Sequence, residues 1–241
     1  GMISGSGSLT KSGAGALELT GVNTYSGGTT VSGGTLVQGS AGAFSANTAY
    51  TINGGILDLN DFDLTASSLS GTGTLSLGNG ALTIDQDTDT VFAGNLVSGN
   101  VLTTDNLIKT GDGTLTLTGS GELNGRVVVE GGTLEINGVM EHENRLVGRG
   151  AGSNGTLIVS GAGAVLGTLW GTNEYIGVSG TGHMTVSDGA QVHTDFTRLG
   201  RNATGDGTLS VDGDGSVYSY ERGITIGEEG RGLLAVSGGA T

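Results

Sequence analysis

Leu9-Thr10-Lys11-Ser12-Gly13-Ala14-Gly15-Ala16-Leu17-Glu18-Leu19-Thr20-Gly21 returns 98 residues further on as Leu107-Ile108-Lys109-Thr110-Gly111-Asp112-Gly113-Thr114-Leu115-Thr116-Leu117-Thr118-Gly119. The two copies stay aligned without a gap as far as Ser32-Gly33-Gly34-Thr35-Leu36 and Glu130-Gly131-Gly132-Thr133-Leu134. A chain that repeats itself in this way builds its body from stacked units, none of which buries an apolar face alone.

Within each copy the local unit is a short alternating strand closed by glycine. In Gly113-Thr114-Leu115-Thr116-Leu117-Thr118-Gly119 the two leucines share one face and the three threonines share the other. The same doublet recurs at Leu17/Leu19, Leu57/Leu59, Leu75/Leu77, Leu82/Ile84, Val127/Val129 and Leu134/Ile136. Threonine and β-branched residues suit a pleated surface, and no 3.6-residue apolar period runs through the chain. The fold class is therefore all-β. Strands with two inward residues are thin for a sandwich, although sandwich and barrel strands have similar spacing. They suit a parallel β-helix whose coils take roughly 20–25 residues and stack at about 4.8 Å. The expectation is a right-handed parallel β-helix of about 10–12 coils, a solenoid about 50 Å long.

The second half changes its wording. Segments beginning at Gly155, Gly182, Gly207 and Gly232 align as Gly-x-x-x-(Val)-Ser/Asp units, and each follows a shorter partner ending in Gly148, Gly177, Gly200 or Gly227. Two strands per coil of about 25 residues predict a second repeat type over 146–241. Coil boundaries between residues 40 and 106 are not legible. No linker composition marks a domain boundary, so 1–241 reads as a single solenoid and a fragment of a longer rod. Ends without a covering coil expose unpaired strand edges, and fraying or end-to-end contact is expected at 1–8 and 230–241.

Composition narrows the function. Glycine supplies 51 of 241 residues, about three times ordinary usage, while Pro and Cys are absent. Without proline or a three-residue glycine period, collagen is excluded. A net charge of −14 opposes binding to nucleic acid or to anionic lipid. No apolar run reaches the ~20 residues of a membrane-spanning helix, so the fragment itself is not expected to insert. Thiolate chemistry and disulfides are absent with the cysteines.

Leu9 to Gly39, centred on Asn23-Thr24-Tyr25-Ser26-Gly27-Gly28-Thr29-Thr30-Val31, closely resembles the passenger-associated repeat of bacterial autotransporters. That repeat runs Lys-x-Gly-x-Gly-x-Leu-x-Leu-x-Gly, then Asn-x-Tyr-x-Gly-Gly-Thr-x-Val, then Gly-Gly-Thr-Leu. The copy at 107–138 keeps the flanks but has Leu123-Asn124-Gly125-Arg126-Val127 in its middle, and 150–241 looks like a second repeat type of such passengers. The resemblance implies a β-helix displayed on a Gram-negative cell surface or secreted by the type V route, its parent anchored by an outer-membrane barrel. It implies a structural or adhesive role, with a host cell-surface or matrix ligand or self-association between rods. The alternative it implies is a translocation-and-folding module with no ligand of its own.

No catalytic, cofactor or metal residues are assigned. Asp85-Gln86-Asp87-Thr88-Asp89 opens like a calcium loop, but Thr90 and Leu96 stand where Gly and Glu belong, so a solvated acidic turn is expected. Glu141-His142-Glu143 alternates between faces, and His183 and His193 lack zinc-motif spacing, so the histidines are expected at the surface or in loops. Polysaccharide lyases and hydrolases on β-helices need clustered carboxylates or basic groups on long loops, and this chain has short turns and only 9 Lys plus Arg. No enzyme is expected. Recognition is instead assigned to aromatics expected at the surface, Trp170, Tyr175, Tyr218 and Tyr220, in the half that also holds Arg145, Arg149, Arg198, Arg201, Arg222 and Arg231. With Asp58, Asp61, Asp63, Asp85, Asp87 and Asp89 in the first half, oppositely charged faces are expected to favour side-by-side association of rods.

Overall fold

Short aliphatic strands separated by glycine turns stack coil upon coil into a β-solenoid of about ten turns, with no helix among the described residues. The structure, a computed structural model, describes residues 1–99, 105–167 and 172–241, and the side chains within these ranges other than those of His142 and Glu143. The parallel β-helix expected from the strand grammar is the observed architecture. Inward side chains align in three ladders. One climbs through Val31, Ile52, Gly71, Phe92, Leu117, Ile136, Val159, Val186 and Val211. A second climbs through Leu36, Leu57, Leu75 and Leu96. The third runs through Ala66, Ile84, Lys109, Val129, Val147, Ile176 and Leu199. Each aliphatic rung removes apolar surface from water against the coil above and below, and most rungs are 0% exposed.

Register recovers the spacing read from the sequence. Gly155, Gly182, Gly207 and Gly232 lie directly above one another, so those coils take 27, 25 and 25 residues. First-half coils are shorter: Leu9 pairs with Thr29 and Leu36 with Leu57, steps of 20 and 21 residues. Glycine recurs in the second-half column because chain segments meet there. A Cβ on Gly182 would collide with the Val147 carbonyl, and one on Gly207 with that of Ile176.

The two copies of the long repeat do not sit on the same face. Leu17 pairs with Leu36 of the second ladder, whereas its counterpart Leu115 pairs with Leu134 on the strands that carry the first. Coils of 18 to 25 residues do not divide 98 evenly, so the second copy starts on a different sheet of the solenoid. The local packing of the repeat is nonetheless retained. Lys11 stacks under Val31 and Lys109 under Val129. Both lysines are buried and turn back onto carbonyls of their own glycine bend. Lys11 Nζ donates to Ser12 O at 3.1 Å, Gly13 O at 2.8 Å and Gly33 O at 2.9 Å. Lys109 Nζ donates to Thr110 O at 2.5 Å and Gly111 O at 3.0 Å. Above each bend sits the second glycine of Gly-Gly-Thr-Leu. At Gly34, φ is 65°, and an added Cβ would stand 2.7 Å from Lys11 Nζ and strike two carbonyls.

The acidic turn is a stitch between coils. Asp89 Oδ1 accepts from Thr114 N at 2.7 Å and Asp85 Oδ1 from Thr110 Oγ1 at 2.9 Å, while Asp87 Oδ1 receives Asp112 N at 3.3 Å. Asp61 and Asp63 do the same for Asn79 N and Ala81 N, at 2.7 and 2.8 Å. Apart from Asp85, which takes a hydroxyl, these exposed carboxylates accept from backbone amides of the next coil.

Candidate recognition groove

From Asn144 onward the third sheet alternates strictly: Arg145 and Val147 point inward, Asn144 and Leu146 outward. The next coil places Asn173 beside Asn144 and Tyr175 beside Leu146, and the one after places Phe196 and Arg198 in the same two columns. Arg126 precedes Asn144 in its column. Stacking at the coil repeat thus assembles residues that are 29 and 23 positions apart in sequence.

Arg126, Asn144, Leu146, Asn173, Tyr175 and Arg201 line a groove of about 290 Å³. The Arg198 and Arg201 guanidinium carbons lie 5.6 and 5.3 Å from the Tyr175 ring centroid, within cation–π reach. Arg198 also stacks on Phe196 at 4.8 Å and pairs with Glu228 at 3.3 Å. Asn144 Oδ1 accepts from Asn173 N at 3.1 Å and from Asn173 Nδ2 at 3.0 Å, an amide rung across the two coils. At the near edge Asp105 accepts from Arg126 Nε and from Arg149 Nη1, each at 2.6 Å, and Glu130 takes Arg149 Nε at 2.8 Å. Burial works against the Arg149 charge, but the carboxylates of Asp105 and Glu130 outweigh it and raise its pKa.

The aromatics assigned to recognition separate. Tyr175 is half-buried in the groove, and Tyr220 is 51% exposed beside Ile224, Leu234 and Val236, lining a different hollow. Tyr218 is not at the surface. It is 7% exposed, and its hydroxyl meets Thr197 Oγ1 at 2.7 Å, because it sits on the inward column above Val192. Trp170 lies outside the described residues. His183 is exposed and His193 half-buried, with Nδ1 3.0 Å from Ser219 Oγ.

The expected bias of charge between faces is also corrected. Arg145 is wholly buried, its Nε bonded to Glu174 Oε2 inside the coil. Arg126, Arg149, Arg198 and Arg222 each pair with a carboxylate, so among the described residues only Arg201 and Arg231 carry an unpaired guanidinium. Sequence reading missed Arg126, Asn144, Leu146 and Asn173 as groove residues. The alternation at Asn173-Glu174-Tyr175 marks two outward positions, but the step to Asn144 needs the coil register. Among the described residues no group of three or more His, Cys, Asp or Glu side chains could hold a metal ion, and no helix is long and apolar enough to cross a membrane.

The Passenger-associated-transport-repeat family matches residues 9–37 and 107–136, the two segments with the buried lysine turn. The chain carries two autotransporter passenger repeats. The first 13-residue motif and its second copy therefore belong to a passenger repeat, and the solenoid they help build carries the groove. The chain is 35% identical over 142 residues to "Adhesin BmaC autotransporter" of Brucella suis biovar 1 (strain 1330), covering 56% of this chain and 4% of that protein. It is 36% identical over 94 residues to "Uncharacterized lipoprotein YdeK" of Escherichia coli (strain K12), covering 38% of this chain and 7% of that one. The chain thus spans less than a tenth of the length of these relatives. No solved structure matches it.

Proposed function

We propose that this passenger segment is a stiff, surface-displayed or secreted rod that mediates adhesion or self-association through its outward sheet faces. One observation carries the reading: on a backbone fixed by coil stacking, Tyr175 and Arg201 line an outward groove, and Arg198 stacks on the same tyrosine ring. A rigid rod presents such contacts repeatedly along its length in a long passenger, and multivalency multiplies weak single contacts. The name of the Brucella relative, an adhesin, supports the same reading. The partner would be a host cell-surface or matrix ligand, or another rod.

A second reading, a module for translocation and folding, is favoured by the repeat itself. Its lysines are buried and its paired glycines roof the bend, so its signature residues face inward and serve coil formation. The two roles divide between faces: the repeat supports the rod, and the groove makes contact. Deleting 9–39 from the parent protein tests this division. Loss of surface display with intact adhesion per displayed molecule fits the module. Normal display with lost adhesion places contact in the repeat and contradicts the division. Substituting Tyr175→Ala is expected to reduce adhesion of coated beads without changing display.

A further inference from the structure

An adhesive role leaves the ligand open, and the groove narrows its chemistry. Building on that role, we propose that the Tyr175 groove binds one carboxylated sugar unit set in an otherwise neutral glycan, with Arg201 taking the carboxylate.

Charge accounting selects a single anionic group. Arg126 is held by Asp105 and Arg198 by Glu228, whereas Arg201 is exposed and has no acidic partner among the described residues. Its guanidinium is oriented by the Tyr175 ring at 5.3 Å, which leaves the planar fork able to meet a carboxylate with two parallel hydrogen bonds. A polyanion would meet Asp105, Glu130 and Glu228 along the same rim and a net charge of −14 beyond it. One uncommitted guanidinium matches one carboxylate.

The remaining lining suits a sugar ring. Leu146 and Tyr175 offer an apolar patch for its C–H face. Asn144 uses its carbonyl oxygen to accept from Asn173, and among the described residues no acceptor meets its amide nitrogen, which is available to a ring hydroxyl. A volume of about 290 Å³ lies at the small end for ligand clefts and fits one ring unit more closely than a folded partner.

An acidic peptide fits less well. The strands beneath the groove, Val139–Val147 and Asn173–Ile176, pair with neighbours on both edges. No free edge remains there for strand addition, so a peptide could not bind through its main chain.

The test uses the whole chain and four soluble probes in calorimetry or ligand-observed NMR. These are an otherwise neutral trisaccharide bearing one glucuronate, its methyl ester, sulfated heparin and a glutamate-rich hexapeptide. The glucuronate probe is expected to bind at least about tenfold tighter than its ester, equivalent to about 1.4 kcal/mol. Arg201→Gln and Arg201→Lys should both remove that preference, since a lysine cannot supply the fork. Arg231→Gln, an equal change of charge at another unpaired arginine, should leave it intact. Circular dichroism confirms that each variant keeps its β signal. Equal binding of acid and ester, tighter binding of heparin or peptide, or equal loss in Arg231→Gln would overturn the inference. If coated beads adhere to cells and no carboxylated glycan competes, the ligand class is wrong while the adhesive reading stands. If the beads do not adhere but the glucuronate probe binds with the stated preference, the ligand class holds and adhesion fails.

Discussion

Arg145 and Glu174 face one another from adjacent coils inside the solenoid, a register pair in the inward column, both at 0% exposure. Arg145 Nε donates to Glu174 Oε2, while Arg145 Nη1 and Glu174 Oε1 have no partner among the described residues. An ionic rung in this position interrupts otherwise apolar packing. Two charges taken out of water at this depth are compensated by each other and by the His193 carbonyl, which accepts from Arg145 Nη2 at 3.4 Å.

Breaking the pair is therefore expected to be severe and replacing it mild. Arg145→Ala leaves a buried carboxylate without a counter-charge and should cost about 3–5 kcal/mol. The double substitution Arg145→Met with Glu174→Leu restores an aliphatic rung and should be neutral or stabilising. Urea unfolding followed by circular dichroism measures both. A double variant as unstable as the single one would refute this account.

Burial pushes the Glu174 carboxyl up, and Arg145 pulls it back only in part. The folded chain therefore holds this proton more tightly than the unfolded chain, whose glutamate titrates near 4.3. Its contribution to stability is complete below about pH 4.3 and fades as pH rises through the higher folded-state value. The stability difference between wild type and Glu174→Gln should thus shift in favour of wild type as pH falls from about 7 toward about 4. A shift in the other direction would mean that Arg145 dominates.

The lysine turn should tolerate neither loss of its ammonium nor filling of its roof. Lys109→Met strands the carbonyls of Thr110 and Gly111, at an expected cost of about 1–3 kcal/mol. Gly132 has φ 60°, and an added Cβ would collide with the Gly111 carbonyl, so Gly132→Ala should be at least as damaging. Thermal unfolding of the two variants gives the comparison. A Gly132→Ala variant with unchanged melting would show that this bend relaxes freely.

Tyrosine variants should separate core from contact. Tyr218→Phe loses the Thr197 hydrogen bond and should cost about 1 kcal/mol of stability with bead adhesion unchanged. Tyr175→Ala should leave melting nearly unchanged and weaken adhesion. Reversed effects would move recognition away from the third-sheet groove.

Much of the fold could be read directly. Leu115/Leu117 and Leu134/Ile136 announce their inward faces by alternation alone, and the glycines at 155, 182, 207 and 232 announce coil length. The groove was legible only in Tyr175 and the arginines around it. Asn144 and Asn173 meet across a 29-residue coil whose length no local pattern reveals. Arg145 and Tyr218 misled for a related reason: composition favours placing such side chains at the surface, but alternation along their own strands turns both inward.

Strand positions, bends and the lysine turn follow from the chain itself, because each depends on contacts within a residue's own coil or the adjoining one. The face on which each copy of the repeat lands does not. It depends on the summed lengths of the intervening coils, which vary because the bends absorb extra residues while the strands stay in register. That sum puts Leu17 and Leu115 on different sheets, while the lengths of single coils lock Arg145 against Glu174 and bring Arg201 to Tyr175.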